Sequence, residues 1–173
     1  DPKEDCGAQQ FTGCGYDGFC DGDAGCSYYP ETTECDPASC GGDTYFPADY
    51  CSGDGSCSES GSISCCPYQC NGEISCRNSC TEHSHCCDDS YCLGSACVAK
   101  KDNGQTCSID DECTSSKCVD GYCCDTWCGG ACQACNVGGL EGTCTEHTAT
   151  TDPEGECGLC KVCNGTGACV NVP

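Results

Sequence analysis

The chain has 173 residues, of which 30 are Cys and 24 Gly, and its 28 Asp and Glu against six Lys and Arg give a formal charge of −22. Ile, Leu, Val and Phe together number only 15, far below the ~20% at which an ordinary apolar core becomes doubtful, whereas the cysteine content is that of a disulfide scaffold. Such a charge repels phosphate backbones and no apolar run approaches the ~20 residues of a membrane helix, so nucleic-acid binding and a helical membrane span are excluded.

The first residue is Asp1 and nothing near it resembles a signal peptide, as expected of a mature product whose secretory signal has been removed. Thirty is even, so all thiols can close into 15 internal bridges, and bridges persist only in oxidising compartments. The expected location is therefore extracellular or at the cell surface. The competing reading, a thiolate metal cluster, needs dense Cys-x-Cys pairs, and the sequence has none.

In chain order, residues 1–65 form an acidic N-terminal module with Cys6, Cys14, Cys20, Cys26, Cys35, Cys40, Cys51, Cys57 and Cys65. Its first 57 residues hold 12 acidic side chains and one basic. Two short Cys-x-Gly-x3-Cys loops occur here, Cys20 to Cys26 and Cys51 to Cys57, with Cys14 to Cys20 a degenerate relative. Their Gly supplies the backbone freedom of a tight turn. Asp17, Asp21 and Asp23, with Gly22 and Gly25, make an acidic loop able to offer oxygen ligands to Ca²⁺; no other cofactor is suggested. An EF-hand loop starting at Asp21 would need Glu at its twelfth position, where Thr32 stands; plain surface acidity is the competing reading.

Residues 66–105 form a hairpin module with Cys66, Cys70, Cys76, Cys80, Cys86, Cys87, Cys92 and Cys97. A second copy follows in residues 106–173, with Cys107, Cys113, Cys118, Cys123, Cys124, Cys128, Cys132, Cys135, Cys144, Cys157, Cys160, Cys163 and Cys169. Cys80-x5-Cys86 and Cys92-x4-Cys97 recur as Cys107-x5-Cys113 and Cys118-x4-Cys123, and the third Cys-x-Gly-x3-Cys loop, Cys163 to Cys169, lies near the end. Gly94-Ser95 and Asp120-Gly121 suit two-residue hairpin turns because they tolerate positive φ. The flanking cysteines then stand opposite each other and either bond each other or anchor the hairpin to the preceding loop. The doublets Cys65-Cys66, Cys86-Cys87 and Cys123-Cys124 should diverge to different neighbours, because a ring closed between adjacent residues strains the peptide bond. The stretch from Ala99 to Gln105, with Lys100 and Lys101, is the expected linker. No window keeps a 3.6-residue apolar period. The expected fold is small and disulfide-rich: coil and short β-hairpins, helix limited to single turns, and tandem modules in an elongated array.

Chemical motifs are sparse. Cys128-x3-Cys132-x2-Cys135 has the spacing of iron–sulfur radical enzymes, but no βα pattern accompanies it. Cys157, Cys160 and Cys163 lack the fourth Cys and following Pro of a ferredoxin, and Cys160 to Gly167 supplies one unit of a zinc-chaperone repeat that needs four. No Cys precedes a His, which excludes covalent haem. His83, His85 and His147, the three histidines, come without a Gly-x-Ser-x-Gly elbow or a His-Glu-x-x-His helix, so no catalysis is expected. Asn164-Gly165-Thr166 is an N-glycosylation sequon on an expected turn, and the Thr-rich stretch 143–151 offers hydroxyls for O-linked sugar.

From Cys80-Thr-Glu-His-Ser-His-Cys86 through Tyr91-Cys92, Gly104-Gln-Thr-Cys107, Asp111-Glu-Cys113, Lys117-Cys118-Val-Asp-Gly-Tyr-Cys123-Cys124 and Cys132-Gln-Ala-Cys135, the chain resembles the cysteine-rich repeats of secreted or surface bacterial proteins. Those repeats are matched to the Dickkopf N-terminal cysteine-rich domain. The run Cys113-x4-Cys118-x4-Cys123-Cys124-x3-Cys128 is also similar, with a shorter loop before the doublet, to the four-disulfide core of whey acidic protein type inhibitors. The first resemblance implies a scaffold rather than an activity. Repeated hairpins and no recognisable site point to a non-enzymatic extracellular structural protein that self-associates into a surface filament or fibre. The alternatives are a secreted binding module, such as a protease inhibitor or receptor-type ligand, and a calcium-binding adhesive protein.

Overall fold

The computed structural model describes residues 6–23, 25–72 and 74–172; the expected mature terminus at Asp1, and Ala24 within the first Cys-x-Gly-x3-Cys loop, lie outside them. The chain divides into two compact units, Asp1–Cys80 and Thr81–Pro173, where the sequence suggested three modules.

Every strand is five residues or shorter. In the first unit, β1 (Tyr16–Cys20) pairs antiparallel with β2 (Cys26–Tyr28), and the rings of Tyr16 and Tyr28 stack at 5.0 Å. Six further strands interleave as two small sheets. One sheet orders β3 (Glu34–Asp36), β6 (Asp49–Cys51) and β7 (Cys57–Ser58); the other orders β4 (Ser39–Gly41), β5 (Thr44–Phe46) and β8 (Ile63–Ser64). The second unit is a series of two-stranded ribbons: β9 (Ser90–Leu93) with β10 (Ala96–Ala99), β11 (Cys118–Val119) with β12 (Tyr122–Cys123), β13 (Gln133–Ala134) with β14 (Thr145–Glu146), and β15 (Lys161–Cys163) with β16 (Cys169–Asn171). Among the described residues, helix is confined to single 3₁₀ turns at Phe11–Gly13, His83–His85 and Asp110–Glu112. The small, disulfide-rich, helix-poor fold is as expected.

Two-stranded ribbons this short are not stable by themselves in water, and cystine supplies what apolar side chains do not. Twenty-eight cysteines are bridged, in 14 pairs. Among the described residues, the buried apolar set is cysteine apart from Tyr91 and Ala134. Its nuclei are stacked cystines. Cys14–Cys51 lies on Cys35–Cys57 with Tyr29 against them; Cys124–Cys135 lies on Cys128–Cys144 beside Val119; Cys132–Cys163 lies on Cys157–Cys169. In the last pair of bridges the Cys132 and Cys157 sulfurs approach to 3.2 Å. These sulfur clusters have the compactness of metal sites, but their atoms are joined as disulfides and offer no thiolate.

The doublets diverge. Cys123 bonds Cys113 while Cys124 bonds Cys135; Cys65 bonds Cys76 and Cys86 bonds Cys97, leaving Cys66 and Cys87 to other partners. Both hairpin copies form as read: Cys92 faces Cys97 and Cys118 faces Cys123, around Gly94 at φ +69° in one and Asp120 and Gly121 at φ +53° and +80° in the other. The facing cysteines do not bond each other. Cys97 reaches back to Cys86, and Cys118 and Cys123 to Cys107 and Cys113. The repeat extends to its polar contacts. The amide of Cys118 donates to Asp110 Oδ1 at 2.8 Å, and the amide of Cys92 donates to His83 Nδ1 at 3.2 Å, each acceptor being the first residue of a 3₁₀ turn.

Two expectations are corrected. Fifteen internal bridges become 14, because Cys20 and Cys160 are unbridged and exposed; Cys26, opposite Cys20, is taken by Cys6, and Cys157 and Cys163, flanking Cys160, are taken by Cys169 and Cys132. The Ala99–Gln105 stretch is a joint rather than a linker. Ala99 belongs to β10, the Lys101 amide donates to the Glu112 carbonyl, Thr114 donates to the Lys101 carbonyl, and Lys101 Nζ reaches Thr106 O and Glu112 Oε2. The degenerate relative, Cys14 to Cys20, contains the single irregular strand Tyr16–Cys20.

Candidate functional site

The recurring element of both units is a turn closed by a pair of cysteines that face each other across a ladder. The pairs are Cys20/Cys26, Cys51/Cys57, Cys70/Cys76, Cys92/Cys97, Cys118/Cys123 and Cys163/Cys169. Cys70-Asn-Gly-Glu-Ile-Ser-Cys76 is a further copy of the Cys-x-Gly-x3-Cys loop, legible in the spacing. In each of these four loops the residue after the first cysteine donates its amide to the carbonyl of the residue before the second, as in Asp21 to Gly25, Ser52 to Ser56, Asn71 to Ser75 and Asn164 to Ala168.

The side chain of that residue shapes the turn as well. Asp21 Oδ1 accepts from the Asp23 and Gly25 amides at 2.8 and 3.0 Å; Asn164 Oδ1 accepts from Thr166 and Ala168 at 2.8 and 3.1 Å. Asp17 Oδ1 accepts from the Ser27 hydroxyl at 2.5 Å and the Phe19 amide at 2.9 Å, and those two bonds, the hydroxyl first, hold its carboxyl below the usual range. Of the three carboxylates read as calcium ligands, Asp17 gives an oxygen to the backbone of β1 and Asp21 to the backbone of its own turn. Asn164, the sequon residue, is half-buried and committed to its turn through Oδ1.

The histidines are separated. His83 stands in for Asp110 as an acceptor, with Nε2 3.7 Å from Asp111 Oδ2. His85 Nε2 pairs with Glu82 at 2.7 Å, and its Nδ1 accepts from the Thr81 amide at 3.3 Å. His147 is buried, its Nε2 without a hydrogen-bond partner and 3.8 Å from Glu154 Oε2. His83 and His85 each accept a backbone amide, and the Thr81 hydroxyl also lies 3.5 Å from His85 Nδ1. Cys128, Cys132 and Cys135, read for iron–sulfur spacing, and Cys157 and Cys163, read for a ferredoxin, are in disulfides, whereas Cys160, read for a ferredoxin and for zinc, is not.

What remains chemically open is the pair of unbridged thiols. Cys20 ends β1 in the first unit, preceded by Phe19, which is 71% exposed. Cys160 immediately precedes β15 in the second unit, at φ +59°, and follows Leu159, which is 96% exposed.

No protein-family model, curated protein or solved structure matches the chain. Fourteen bridges fit an extracellular location, and among the described residues no helix is long and apolar enough to cross a membrane.

Proposed function

We propose that the chain is a non-enzymatic structural subunit of an extracellular filament or fibre. The observation that carries this reading is the substitution of stacked cystines for an apolar interior in both units. A bridge constrains the unfolded chain by about 3 kcal/mol for a loop of ~15 residues, so closely spaced bridges suppress the local openings at which proteases cut. A durable building block needs that property more than it needs a cleft. Of the side chains that sequence reading offered for chemistry, Asp17, Asp21, His83 and His85 accept backbone amides. With a charge of −22, association must rest on close local contacts or on counter-ions.

Negative-stain imaging of native material tests the reading, together with intact mass before and after reduction. Filaments are expected, and reduction should add two hydrogens for each of the 14 bridges. A monodisperse monomer that titrates a protease at one-to-one stoichiometry would replace it with the inhibitor reading.

A further inference from the structure

We propose that Cys20 of one copy and Cys160 of another form an intermolecular disulfide that joins copies head to tail; the proposal rests on the structural-subunit reading and names the contact by which the subunits connect. Three observations carry it. The first is the rule of the facing pairs. In five of the six pairs, both cysteines are bridged to a cysteine other than the one opposite: Cys51 and Cys57 to Cys14 and Cys35, Cys70 and Cys76 to Cys40 and Cys65, Cys118 and Cys123 to Cys107 and Cys113, Cys163 and Cys169 to Cys132 and Cys157, while Cys97 bonds Cys86 and Cys92 is bridged elsewhere. In the sixth, Cys26 has its outside partner in Cys6 and Cys20 has none. Cys20 occupies a position that everywhere else holds a bridge, and the remaining unbridged thiol is Cys160.

The second observation is apolar. Among the described residues, the two most exposed large apolar side chains are Leu159 at 96% and Phe19 at 71%, each the immediate neighbour of an unbridged cysteine. Isolated exposed apolar residues need no explanation, but here both extremes sit beside the two thiols.

The third is charge. Phe19-Cys20-Asp21 is apolar, thiol, acid, with Asp17 and Asp23 alongside; Leu159-Cys160-Lys161 is apolar, thiol, base, in a chain with only six basic residues. A Cys20–Cys20 contact sets carboxylates against carboxylates, and a Cys160–Cys160 contact sets lysine against lysine. The mixed contact alone is complementary. Because it joins two different patches, it is heterologous and propagates from copy to copy instead of stopping at a dimer.

The bond forms by two thiol–disulfide exchanges with a low-molecular-weight disulfide as oxidant. The Cys20 thiolate attacks that disulfide, forming a mixed disulfide and releasing one small thiolate. The Cys160 thiolate of the next copy attacks the Cys20 sulfur, forming the Cys20–Cys160 bond and releasing the second. Two protons and two electrons pass from the protein thiols to the oxidant, which leaves as two thiols.

The experiment oxidises the full chain with oxidised glutathione and resolves the products by non-reducing electrophoresis. Wild type should give a ladder that collapses on reduction and yields a peptide linking residues 20 and 160. Cys20→Ser and Cys160→Ser should each stay monomeric, and an equimolar mixture of the two should stop at the dimer. Both positions are exposed and outside every internal bridge, and alkylation without reductant, which should add one adduct to each single variant and none to the double variant, checks that the 14 internal bridges are intact. Dimers from either variant alone overturn the pairing, as does a wild-type monomer lighter by two hydrogens, which means closure within one chain. Thiols that stay fully alkylatable after oxidation overturn it too. If the Cys20→Ser/Cys160→Ser double variant builds the same filaments as wild type, this proposal fails and the structural reading stands. If wild type neither links nor assembles and instead titrates a protease, both fail.

Discussion

Asp54 illustrates how acidic residues are used throughout this chain. Its Oδ1 accepts from the Ser52 hydroxyl, from the Ser56 hydroxyl at 2.5 Å and from the Ser56 amide at 3.0 Å, and these bonds, the Ser52 hydroxyl first, push its pKa down to about 2. The folded value lies below the ordinary value of about 4, so the carboxylate's contribution to the loop is complete above the ordinary value and is lost as pH falls through about 2. NMR titration should show the Ser56 amide unmoved between neutral pH and the ordinary carboxylate range, with its midpoint near 2 in the folded chain. A midpoint at the ordinary value would mean that the Ser52–Asp54–Ser56 cage is not formed. Glycine acts by a different route. Gly142 sits at φ +88°, and a Cβ there would lie 2.1 Å from Gly104 N, whereas Gly139 at φ +86° has open space around it. Gly139→Ala should cost only the left-handed backbone penalty of about 1–2 kcal/mol, and Gly142→Ala should cost about 2–4 kcal/mol because backbone must also shift. Chemical denaturation of the two variants measures the difference; equal losses would mean that the Gly104–Gly142 approach contributes nothing.

Among elements, the Lys101 joint shows what composition hides. Two adjacent lysines in a polar stretch read as a flexible connection, yet Lys101 is fixed at backbone and side chain alike, and the Glu112 carboxylate that receives its ammonium raises its pKa. The shift is upward, so the stability it brings is present below the ordinary lysine value and disappears as pH rises through the raised one. Lys101→Ala leaves Glu112, whose side chain is 12% exposed, without its cation, and should lower the melting temperature of Thr81–Pro173 by a few degrees, with Lys101→Arg recovering part of the loss; no change in either variant would show the contact to be incidental. The hairpins around Gly94 and Asp120-Gly121 were legible because turn chemistry and cysteine spacing agree at the same residues. The interleaved sheets of the first unit were not, because strands of two or three residues carry no alternation and their pairing is set by distant bridges such as Cys14–Cys51 and Cys40–Cys70. The candidate site was half legible: Cys20 and Cys160 were named, but as bridged residues, since an even cysteine count satisfies closure whether the last pair forms within a chain or between chains.

For the molecule as a whole, charge and linkage pull in opposite directions, and salt separates them. Each copy carries −22, so two copies repel over the Debye length, ~30 Å at 0.01 M salt and ~8 Å at 0.15 M. Across the contact itself, Asp21 and Lys161 attract, but they are two charges against the field of the whole chain. Electrostatic control of encounter acts through the summed field at long range, so net repulsion should limit how often Cys160 of one copy meets the activated Cys20 of another. Mixing glutathione-activated Cys160→Ser with Cys20→Ser isolates that step, because each protein offers only one competent sulfur. The initial rate of dimer formation should rise roughly tenfold between those two salt concentrations and flatten once the Debye length is shorter than the patch. Lys161→Glu should slow the reaction at every salt concentration without changing the direction of the dependence. A rate that falls as salt is added would show that local attraction, not net charge, governs the meeting of copies, and the −22 would then have to be neutralised before they approach.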